Sequence, residues 1–531
     1  MKEHLPSDSR RPALLFWSLL SLYFLFLLYE VLHSDYLFTD EAYRLWHNAD
    51  KDAAFADFHT QGRTLGGLMV QFLFRQCHTA AQVRYIRLFS LAECLLLLAV
   101  LCNVLKRLQQ RMIPAIGDAT IYLTLAFVAA SLTVSNWIGW AVSTIIFIPS
   151  ILSLLAGYLL FTRLVGRTLS LPVTLAVVAL GVTGLFFYQS PYPFLLLPFY
   201  LLFLTRKDGK FDRPVYIGWM FFFIILGIYY GCFTTGLKLT GMEASSRTAL
   251  ATNPLERLSF FFSYPMNQAF NGNFFFDVKS RISQVVFPVL FLAWLVITFR
   301  TARASITPAA SIVPGVPTPA DPSPKSHPGR GRAMIALRYI GGIVLFWILG
   351  FLPQLVGQEA FGPYRTMLVL GLMVFLALMD AVFVYLRTEK ARMYVSFIVI
   401  LLLLGKGAWN YKTYLADPLR MEYQAIKGAV KDHYTDRIKA VVFVMAPENG
   451  FEKRFGIGSY KDEFGMPSTH KDWTPDPLLR QLVYEITGNR QTAAALRVTL
   501  VNAVKEAADT TGLRDGTVLL IDAPQLLNDL R

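Results

Sequence analysis

The sequence predicts an α-helical polytopic membrane protein with a small α/β domain at its C-terminal end. Of the 531 residues, 54% are hydrophobic and only 16% are charged, against roughly 25% charged residues in soluble domains. The charged residues lie between apolar runs, several of which exceed the ~18 residues that indicate a transmembrane helix. This composition excludes a disordered or fibrous protein and argues against an ordinary soluble enzyme.

We predict 11 membrane spans, with each end placed to within about three residues. The first, Ala13–His33, follows Arg10 and Arg11 and has no small-residue cleavage site behind it, so it is predicted to be an uncleaved signal anchor with a cytoplasmic N-terminus. The others are predicted near 85–105, 113–134, 138–162, 171–189, 192–205, 214–236, 283–300, 339–357, 366–386 and 393–411.

The distribution of lysine and arginine agrees with connections that alternate between the cytoplasmic and the outer side. Lysines and arginines cluster in every connection predicted to be cytoplasmic, whereas the short outer connections around Asn136, Pro191 and Pro363 carry only Arg365. Short loops of this kind follow the positive-inside rule. An odd number of spans places the C-terminal region outside, and the predicted location is the cell inner membrane.

The chain divides into four predicted regions. Residues 1–300 form an N-terminal transmembrane bundle with outer loops at 34–84 and 236–282, and residues 301–335 form a cytoplasmic linker with seven prolines between 303 and 332. Residues 336–411 form the C-terminal transmembrane helices, and 412–531 a soluble extracytoplasmic α/β domain.

The charge pattern favours membrane lipids as partners over nucleic acid. The net charge is +14, but the region from Lys412 to Arg531 contains equal numbers of acidic and basic residues. The positive excess therefore belongs to the membrane part, where it contacts anionic head groups. We expect no binding of nucleic acid.

The C-terminal domain is predicted from two apolar runs. Ile438–Ala446 and Thr517–Asp522 are typical of buried strands bounded by turn formers. Between them, Asp476–Thr487 and Gln491–Ala508 have apolar residues at the three-to-four spacing of helices. These elements indicate a small α/β fold.

An acidic pair follows the first span directly. Asp40 and Glu41 are expected at the membrane surface, where a carboxylate can remove the proton of an acceptor hydroxyl as a general base. An alternative is structural: Thr39 caps a helix, and the two acids complement its positive end. Both interpretations can hold together.

Two arginines on the same predicted side are candidates for binding a phosphate. Arg63 precedes Gly66 and Gly67, whose lack of side chains permits a close backbone approach. Arg365 follows Tyr364 on a Gly-Pro turn at the mouth of the bundle. The alternative for both is an interfacial arginine that extends toward ordinary head groups.

The second outer loop contains an aromatic and amide-rich stretch over residues 260–273. Its Asn267 and Gln268 are candidates for binding sugar hydroxyls, although an interfacial aromatic belt has the same composition. His47, His59 and His78 share the first outer loop, but their spacing matches no metal motif, so we expect no metal.

Intramembrane charges suggest a second class of function. Glu93, Asp380 and Lys406 lie within predicted spans, where charged residues usually face the bundle interior. They could form a proton path in a transporter. Single, isolated charges of this kind also occur for structural reasons.

The pattern resembles the GT-C membrane glycosyltransferases, which use polyprenyl-phosphate-linked sugars. The resemblance consists of the cytoplasmic N-terminus, 11 spans, a large first outer loop with Asp40-Glu41 after the first helix, and an outer C-terminal domain. It implies that Asp40 is the general base, that Glu41 is its alternate or support, and that Arg63 and Arg365 hold the donor phosphate. It also implies inversion at the anomeric carbon by direct displacement.

The expected function is therefore transfer of a sugar from a polyprenyl phosphate to a glycan, lipid or protein acceptor in the cell envelope. No cofactor is expected. Some members of the family have a second acidic motif in the loop that corresponds to 236–282, but this loop has only Glu243, Glu256 and Asp277. The alternatives are a transporter or flippase of lipid-linked glycans, and an assembly subunit whose outer domain binds partners.

Overall fold

The computed structural model describes residues 10–166, 169–271, 281–305, 328–360, 362–386, 388–456, 463–507 and 516–529. Helices dominate it. In chain order these are α1 (Arg10–Leu32), α2 (Asp40–Trp46), α3 (Lys51–His59), α4 (Thr64–Arg75), α5 (Val83–Arg111), α6 (Asp118–Ala130), α7 (Leu132–Gly139), α8 (Phe147–Val165), α9 (Leu171–Phe187), α10 (Leu197–Arg206), α11 (Arg213–Thr240), α12 (Pro254–Ser263), α13 (Pro265–Phe270) and α14 (Arg281–Ser305).

The second half contains further helices and a small sheet. The helices are α15 (Pro328–Leu355), α16 (Leu368–Phe383), α17 (Glu389–Asn410), α18 (Asp417–His433), α19 (Glu452–Phe455), α20 (Pro475–Thr487), α21 (Arg490–Ala494), α22 (Val504–Ala507) and α23 (Ala523–Asp529). The strands are β1 (Ala440–Val444), β2 (Arg497–Val501) and β3 (Val518–Asp522).

Long apolar helices confirm the multi-pass helical class. Within the described ranges, seven helices are long and apolar enough to cross a membrane, or eight if α6 and α7, which are bent by 45°, count as one span. The shorter apolar helices α9, α10 and α16 occupy the positions of three further predicted spans. The total of 11 crossings and the sidedness of the chain stay predictions.

Alternate connections of the bundle come together at one end, which we call the loop end. These connections follow α1, α7, α9, α11 and α15. Hydrogen bonds of 2.9–3.2 Å join them, donated by Tyr36 to Gly139, by Gln189 to Gly62 and by Ala251 to Val356. Such clustering is expected when successive long helices run back and forth.

The opposite end, which we call the basic end, carries the clusters of lysine and arginine between helices. There Lys207 pairs with Asp380 across 2.9 Å and joins the ends of α10 and α16. Lys207 has a φ of 56°, a left-handed conformation that is uncommon outside glycine. The ion pair between Lys207 and Asp380 therefore lies at the turn that ends α10.

Close helix packing at the loop end depends on the two glycines of α4. A Cβ on Gly66 would lie 2.5 Å from the carbonyl oxygen of Phe187, and one on Gly67 would lie 2.5 Å from the Cβ of Phe58. Any side chain at either position would force α4 away from α9 or α3. The two glycines thus allow α4 to pack closely on α3 and α9, which fixes the segment that carries Arg63, and their predicted role beside a phosphate stays a prediction.

The C-terminal sheet is parallel with the strand order β2-β1-β3. In the central strand, Val442 is in register with Thr499 of β2 and Leu520 of β3. The predicted helix over Gln491–Ala508 is wrong, because its middle is strand β2, between the short helices α21 and α22. β-Branched Val498, Thr499 and Val501 favour a strand once β1 offers an edge to pair with.

The predicted linker at 301–335 is shorter than expected at both ends. Residues 301–305 belong to α14 and residues 328–335 belong to α15. The intervening proline-rich stretch, 306–327, lies outside the described residues.

The C-terminal domain packs directly on the first loop. Helix α17 continues through a π-helical turn at Tyr411–Ala416 into α18. Arg420 of α18 pairs with buried Glu30 of α1 across 3.0 Å, and the side chain of Glu485 in α20 accepts a 2.7 Å hydrogen bond from the backbone of Ala80. The domain is therefore fixed to the loop end of the bundle.

Candidate functional site

The acidic pair begins helix α2, and its two members face different surroundings. Thr39 occupies the N-cap position with φ 38°, and its side chain makes no capping hydrogen bond. The predicted Thr39 cap is therefore wrong. Instead, the carboxylate of Glu41 accepts a 2.8 Å hydrogen bond from the backbone N–H of Phe38, which closes the turn.

Glu41 is fully buried and its carboxylate is enclosed by donors from the protein. One oxygen accepts from Arg87 at 2.5 Å, and the other from the backbone N–H of Ala141 at 2.5 Å. Arg87 is also fully buried, stacks over Tyr36 at 4.0 Å, and donates to three backbone carbonyls. This arrangement makes Glu41 the support of the loop and leaves it no room to contact a substrate.

Asp40 lines an adjacent pocket of about 80 Å³. Its Oδ1 accepts a 2.9 Å hydrogen bond from the indole N–H of Trp473 in the C-terminal domain. The pocket brings Asp40 together with Arg63 and Arg365, three residues that the sequence analysis selected separately. It is also lined by Arg44 and Arg247.

Arg63 is buried, being 9% exposed, and the groups that contact its guanidinium directly are neutral. Its guanidinium donates to the side-chain oxygens of Gln189 at 3.2 Å and Gln61 at 2.9 Å, and it stacks over Tyr188 at 4.1 Å. Among the described residues, no carboxylate lies within ion-pair distance of it. Burial lowers the pKa of Arg63, as expected for a cation removed from water.

Arg365 is also buried but has a carboxylate partner. Its Nη1 lies 3.1 Å from Oε1 of Glu463, which is wholly buried, and its backbone N–H donates to the same carboxylate at 3.2 Å. Its guanidinium also lies over Trp140, 4.8 Å from the ring centroid. Burial lowers the pKa of Arg365, but Glu463 and Tyr188 together raise it by more, so the net pKa is above its ordinary value.

The two remaining arginines of the pocket have acidic partners at its rim. Arg247 lies 3.3 Å from Glu359, and Arg44 pairs with Asp57. Arg44 occupies the position four residues after Asp40, on the same face of α2, a spacing that could have predicted it. The acidic partners of Arg247 and Arg365 lie far from them in the sequence, so no local sequence pattern could have predicted these ion pairs.

A larger, mostly apolar groove of about 310 Å³ adjoins the pocket. The two cavities share Arg63 and Arg247 as lining residues. The groove continues along α11 between apolar and aromatic side chains and reaches the end of α15 at Pro353. Phe223, one of its lining residues, is half exposed on the outer face of α11, so the groove opens sideways on an apolar surface.

Three predicted binding residues do not line either cavity. Tyr364 is buried, with its ring edge-on against Phe464 at 5.7 Å. Asn267 and Gln268 are buried in α13, where Gln268 donates to the hydroxyl of Tyr264 at 2.6 Å. In the described part of the chain these amides pack inside the bundle.

The residues expected to form a proton path are separated from one another. Glu93 accepts a 2.8 Å hydrogen bond from Thr144 within the bundle, Asp380 pairs with Lys207 at the basic end, and Lys406 is partly exposed on α17. Over the described ranges, no group of three or more His, Cys, Asp or Glu side chains could hold a metal ion.

Sequence reasoning missed the contributions of Tyr188, Gln189, Glu463 and Trp473. Tyr188 and Gln189 directly follow α9, next to the predicted outer connection at Pro191. Their side of the membrane could therefore be predicted, but their contact with Arg63 could not. Glu463 and Trp473 lie in a segment without regular apolar spacing. Comparison with known proteins does not extend this picture, since no protein-family model and no curated protein sequence matches the chain.

Proposed function

We propose that this protein is an inverting glycosyltransferase of the GT-C type. It moves a sugar from a polyprenyl-phosphate donor to a glycan, lipid or protein acceptor at the outer face of the inner membrane. The observation that best supports this is Arg63, a buried guanidinium without a carboxylate partner among the described residues, where an apolar groove meets the Asp40 pocket.

The charge on Arg63 requires an anion. Removing a cation from water is unfavourable by several kcal/mol unless an opposite charge accompanies it. The planar guanidinium matches two oxygens of a phosphate, and Arg247 lines the same junction. A lipid phosphate bound here would compensate the charge that the protein leaves unpaired.

The groove supports a prenyl chain as the lipid part of the donor. Its lining by Phe223, Leu226 and Phe233 is apolar, and it opens on the outer face of α11. A chain lying there would bury hydrocarbon against hydrocarbon while its phosphate reached Arg63. The sugar on that phosphate would then extend into the pocket lined by Asp40.

Asp40 would act as the general base. The acceptor oxygen forms a bond to the anomeric carbon while the bond from that carbon to the phosphate oxygen breaks. The acceptor proton passes to Asp40, and polyprenyl phosphate leaves with the bonding electron pair, held by the arginines. Attack from the face opposite to the leaving group inverts the configuration.

Thermal unfolding in lipid nanodiscs tests the phosphate site with undecaprenyl phosphate as the probe. We expect the lipid to raise the unfolding midpoint of the wild-type protein and to leave Arg63→Gln unchanged. Without the lipid, Arg63→Gln should be at least as stable as the wild type, because the uncompensated charge has been removed.

The matched control is Arg75→Gln, an exposed arginine at the C-terminal end of α4, the helix that Arg63 precedes. It should respond to undecaprenyl phosphate as the wild type does. A wild-type protein that the lipid does not stabilise, or an Arg63→Gln variant stabilised as strongly, contradicts the proposed site.

A transporter or flippase of lipid-linked glycans is the second candidate. It is favoured by a cavity of about 590 Å³ at the basic end, lined by Lys207, Asp380, Glu389 and Arg392. With cavities at both ends, a lipid head group could be received on one side and released on the other. In proteoliposomes, a flippase would move a labelled lipid-linked glycan between leaflets without changing its head group.

A further inference from the structure

The C-terminal domain reaches the pocket through the segment from Glu463 to Thr474, which we call the 463–474 segment. At one end of this segment the carboxylate of Glu463 binds both the guanidinium and the backbone N–H of Arg365. Near the other end Trp473 donates to Asp40. One short segment therefore contacts both the candidate base and a candidate phosphate-binding arginine.

This segment is anchored firmly between the two contacts. The buried carboxylate of Glu422 in α18 accepts hydrogen bonds from the backbone N–H groups of Ser468 at 2.8 Å and Thr469 at 3.0 Å, and from the Thr469 hydroxyl at 2.7 Å. The Ser468 hydroxyl donates to the carbonyl of Leu37 at 3.3 Å. The segment thus joins the end of the last long helix to the residues just before Asp40.

Glu463 lies behind Arg365. It is wholly buried and does not line the pocket, so it cannot touch a substrate there. Because the carboxylate binds both the guanidinium and the backbone of Arg365, it fixes where that guanidinium points. It also offsets one positive charge, so Arg63 is the arginine of the pocket that has no acidic partner among the described residues.

Trp473 contacts the candidate base, Asp40. Its indole N–H binds Oδ1 of Asp40, while its ring stays 48% exposed. An indole N–H can only donate, so this contact holds one oxygen of the Asp40 carboxylate in a fixed direction. With Oδ1 engaged, Oδ2 is the oxygen left to receive the proton of the acceptor.

We propose that Glu463 and Trp473 are positioning residues of the site: Glu463 orients Arg365 toward the donor phosphate, and Trp473 orients Asp40 toward the acceptor. The C-terminal domain is then an integral part of the active site. This inference rests on the proposed function for its chemistry, whereas the two contacts can be tested without turnover.

The chemical test uses the full-length protein in nanodiscs and needs no substrate. The rate at which a water-soluble carbodiimide modifies Asp40 at a fixed pH, read by mass spectrometry, reports how freely its carboxylate is reached. In Trp473→Phe this rate should rise several-fold, because Oδ1 has lost the indole N–H that holds it. In Glu463→Gln, phenylglyoxal should modify Arg365 several times faster.

The kinetic test follows release of undecaprenyl phosphate from lipid-linked sugars. Glu463→Gln should raise KM for the donor about tenfold, as expected for losing a charged hydrogen bond, and Glu463→Asp should recover part of it. Trp473→Phe should lower kcat about tenfold and leave KM for the donor unchanged, because it alters only the orientation of Asp40. A structural role alone would lower the amount of folded enzyme and leave kcat per folded enzyme unchanged.

Matched controls are Asp432→Asn, an exposed acid of α18, and Trp409→Phe, an exposed tryptophan of α17. Both should behave as the wild type. Unchanged labelling of Asp40 and Arg365 in the two test variants overturns the positioning inference. Expected labelling shifts together with a wild type that releases no undecaprenyl phosphate would leave the positioning contacts standing and overturn the proposed function.

Discussion

Asp40 and Glu41 are neighbours in sequence, yet they belong to two different charge clusters. Around Glu41, every partner comes from the protein: Arg87, two backbone N–H groups and the surrounding carbonyls form a closed, wholly buried unit. Around Asp40, the pocket is open and Arg63 lies in it without a carboxylate partner among the described residues.

The difference separates structural charges from functional ones. A buried charge whose hydrogen bonds are all satisfied within the chain stabilises a particular loop geometry. A buried charge held only by amides and an aromatic ring is balanced by something that the chain does not supply. The Glu41 cluster therefore fixes the loop, and the Asp40 pocket is the place to look for a ligand.

The largest expected effect is a loss of stability when the cation of the Glu41 cluster is removed. Arg87→Leu leaves Glu41 buried without its cation, which should reduce stability by about 3–5 kcal/mol. We expect little folded protein after extraction, measured by size-exclusion chromatography. Adding Glu41→Gln to the variant should recover part of the yield, and normal folding of Arg87→Leu alone would show that the cluster is not structural.

The second effect concerns activity alone. Asp40→Asn should reduce the release of undecaprenyl phosphate from lipid-linked hexoses and pentoses by about 10²–10⁴-fold, the range for losing a general base. Its unfolding midpoint should stay close to that of the wild type, because Asparagine can still accept from Trp473. Full activity in the folded variant contradicts the role of Asp40; Asp432→Asn is the control.

A third substitution tests whether the prenyl chain of the donor lies in the apolar groove. Gly227 lines the groove, and a Cβ there would meet no atom within 4 Å. Gly227→Phe should therefore fold and fill the space, raising KM about tenfold for a long-chain donor and little for a short-chain one. Gly231→Phe, also on α11 with open space but not a groove-lining residue, is the control. Equal KM values for the two donors would argue against the prenyl chain lying in this groove.

The smallest expected effect concerns the neutral groups around Arg63. Tyr229 accepts a 2.7 Å hydrogen bond from Gln189 and donates to the carbonyl of Gly62 at 3.0 Å. Tyr229→Phe should reduce stability by about 1 kcal/mol and raise KM for the donor a few-fold, because Gln189 keeps its bonds to Gln61 and Gly62. A loss as large as that of Arg63→Gln would mean that Tyr229 itself binds the donor.

Much of the fold was predictable, because long apolar runs fix helices almost independently of their neighbours. The positions of α1, α5, α8 and α11 follow directly from such runs. Strand β2 was not predictable, since its residues become a strand only through the edge that β1 offers. Local spacing favoured a helix there, and a long-range pairing overrode it.

The candidate site was predictable only in part. The side of the membrane predicted for Asp40, Arg63 and Arg365 brought them into one hypothesis, and the structure brings them into one pocket. The burial of Glu41 depends on Arg87, which lies near the start of the apolar helix α5, and its position in the sequence does not indicate this partner. Contacts such as Glu463 with Arg365 join residues about a hundred positions apart, and no local pattern encodes them.

The uninterrupted path from α17 through the π-helical turn into α18 has a mechanical consequence. Since Glu422 on α18 binds the segment that contacts both Arg365 and Asp40, a tilt of the last long helix would also move these two side chains. Under the proposed function, bilayer thickness, which sets the tilt of such helices, would then change the rate of sugar transfer without any ligand binding to the protein.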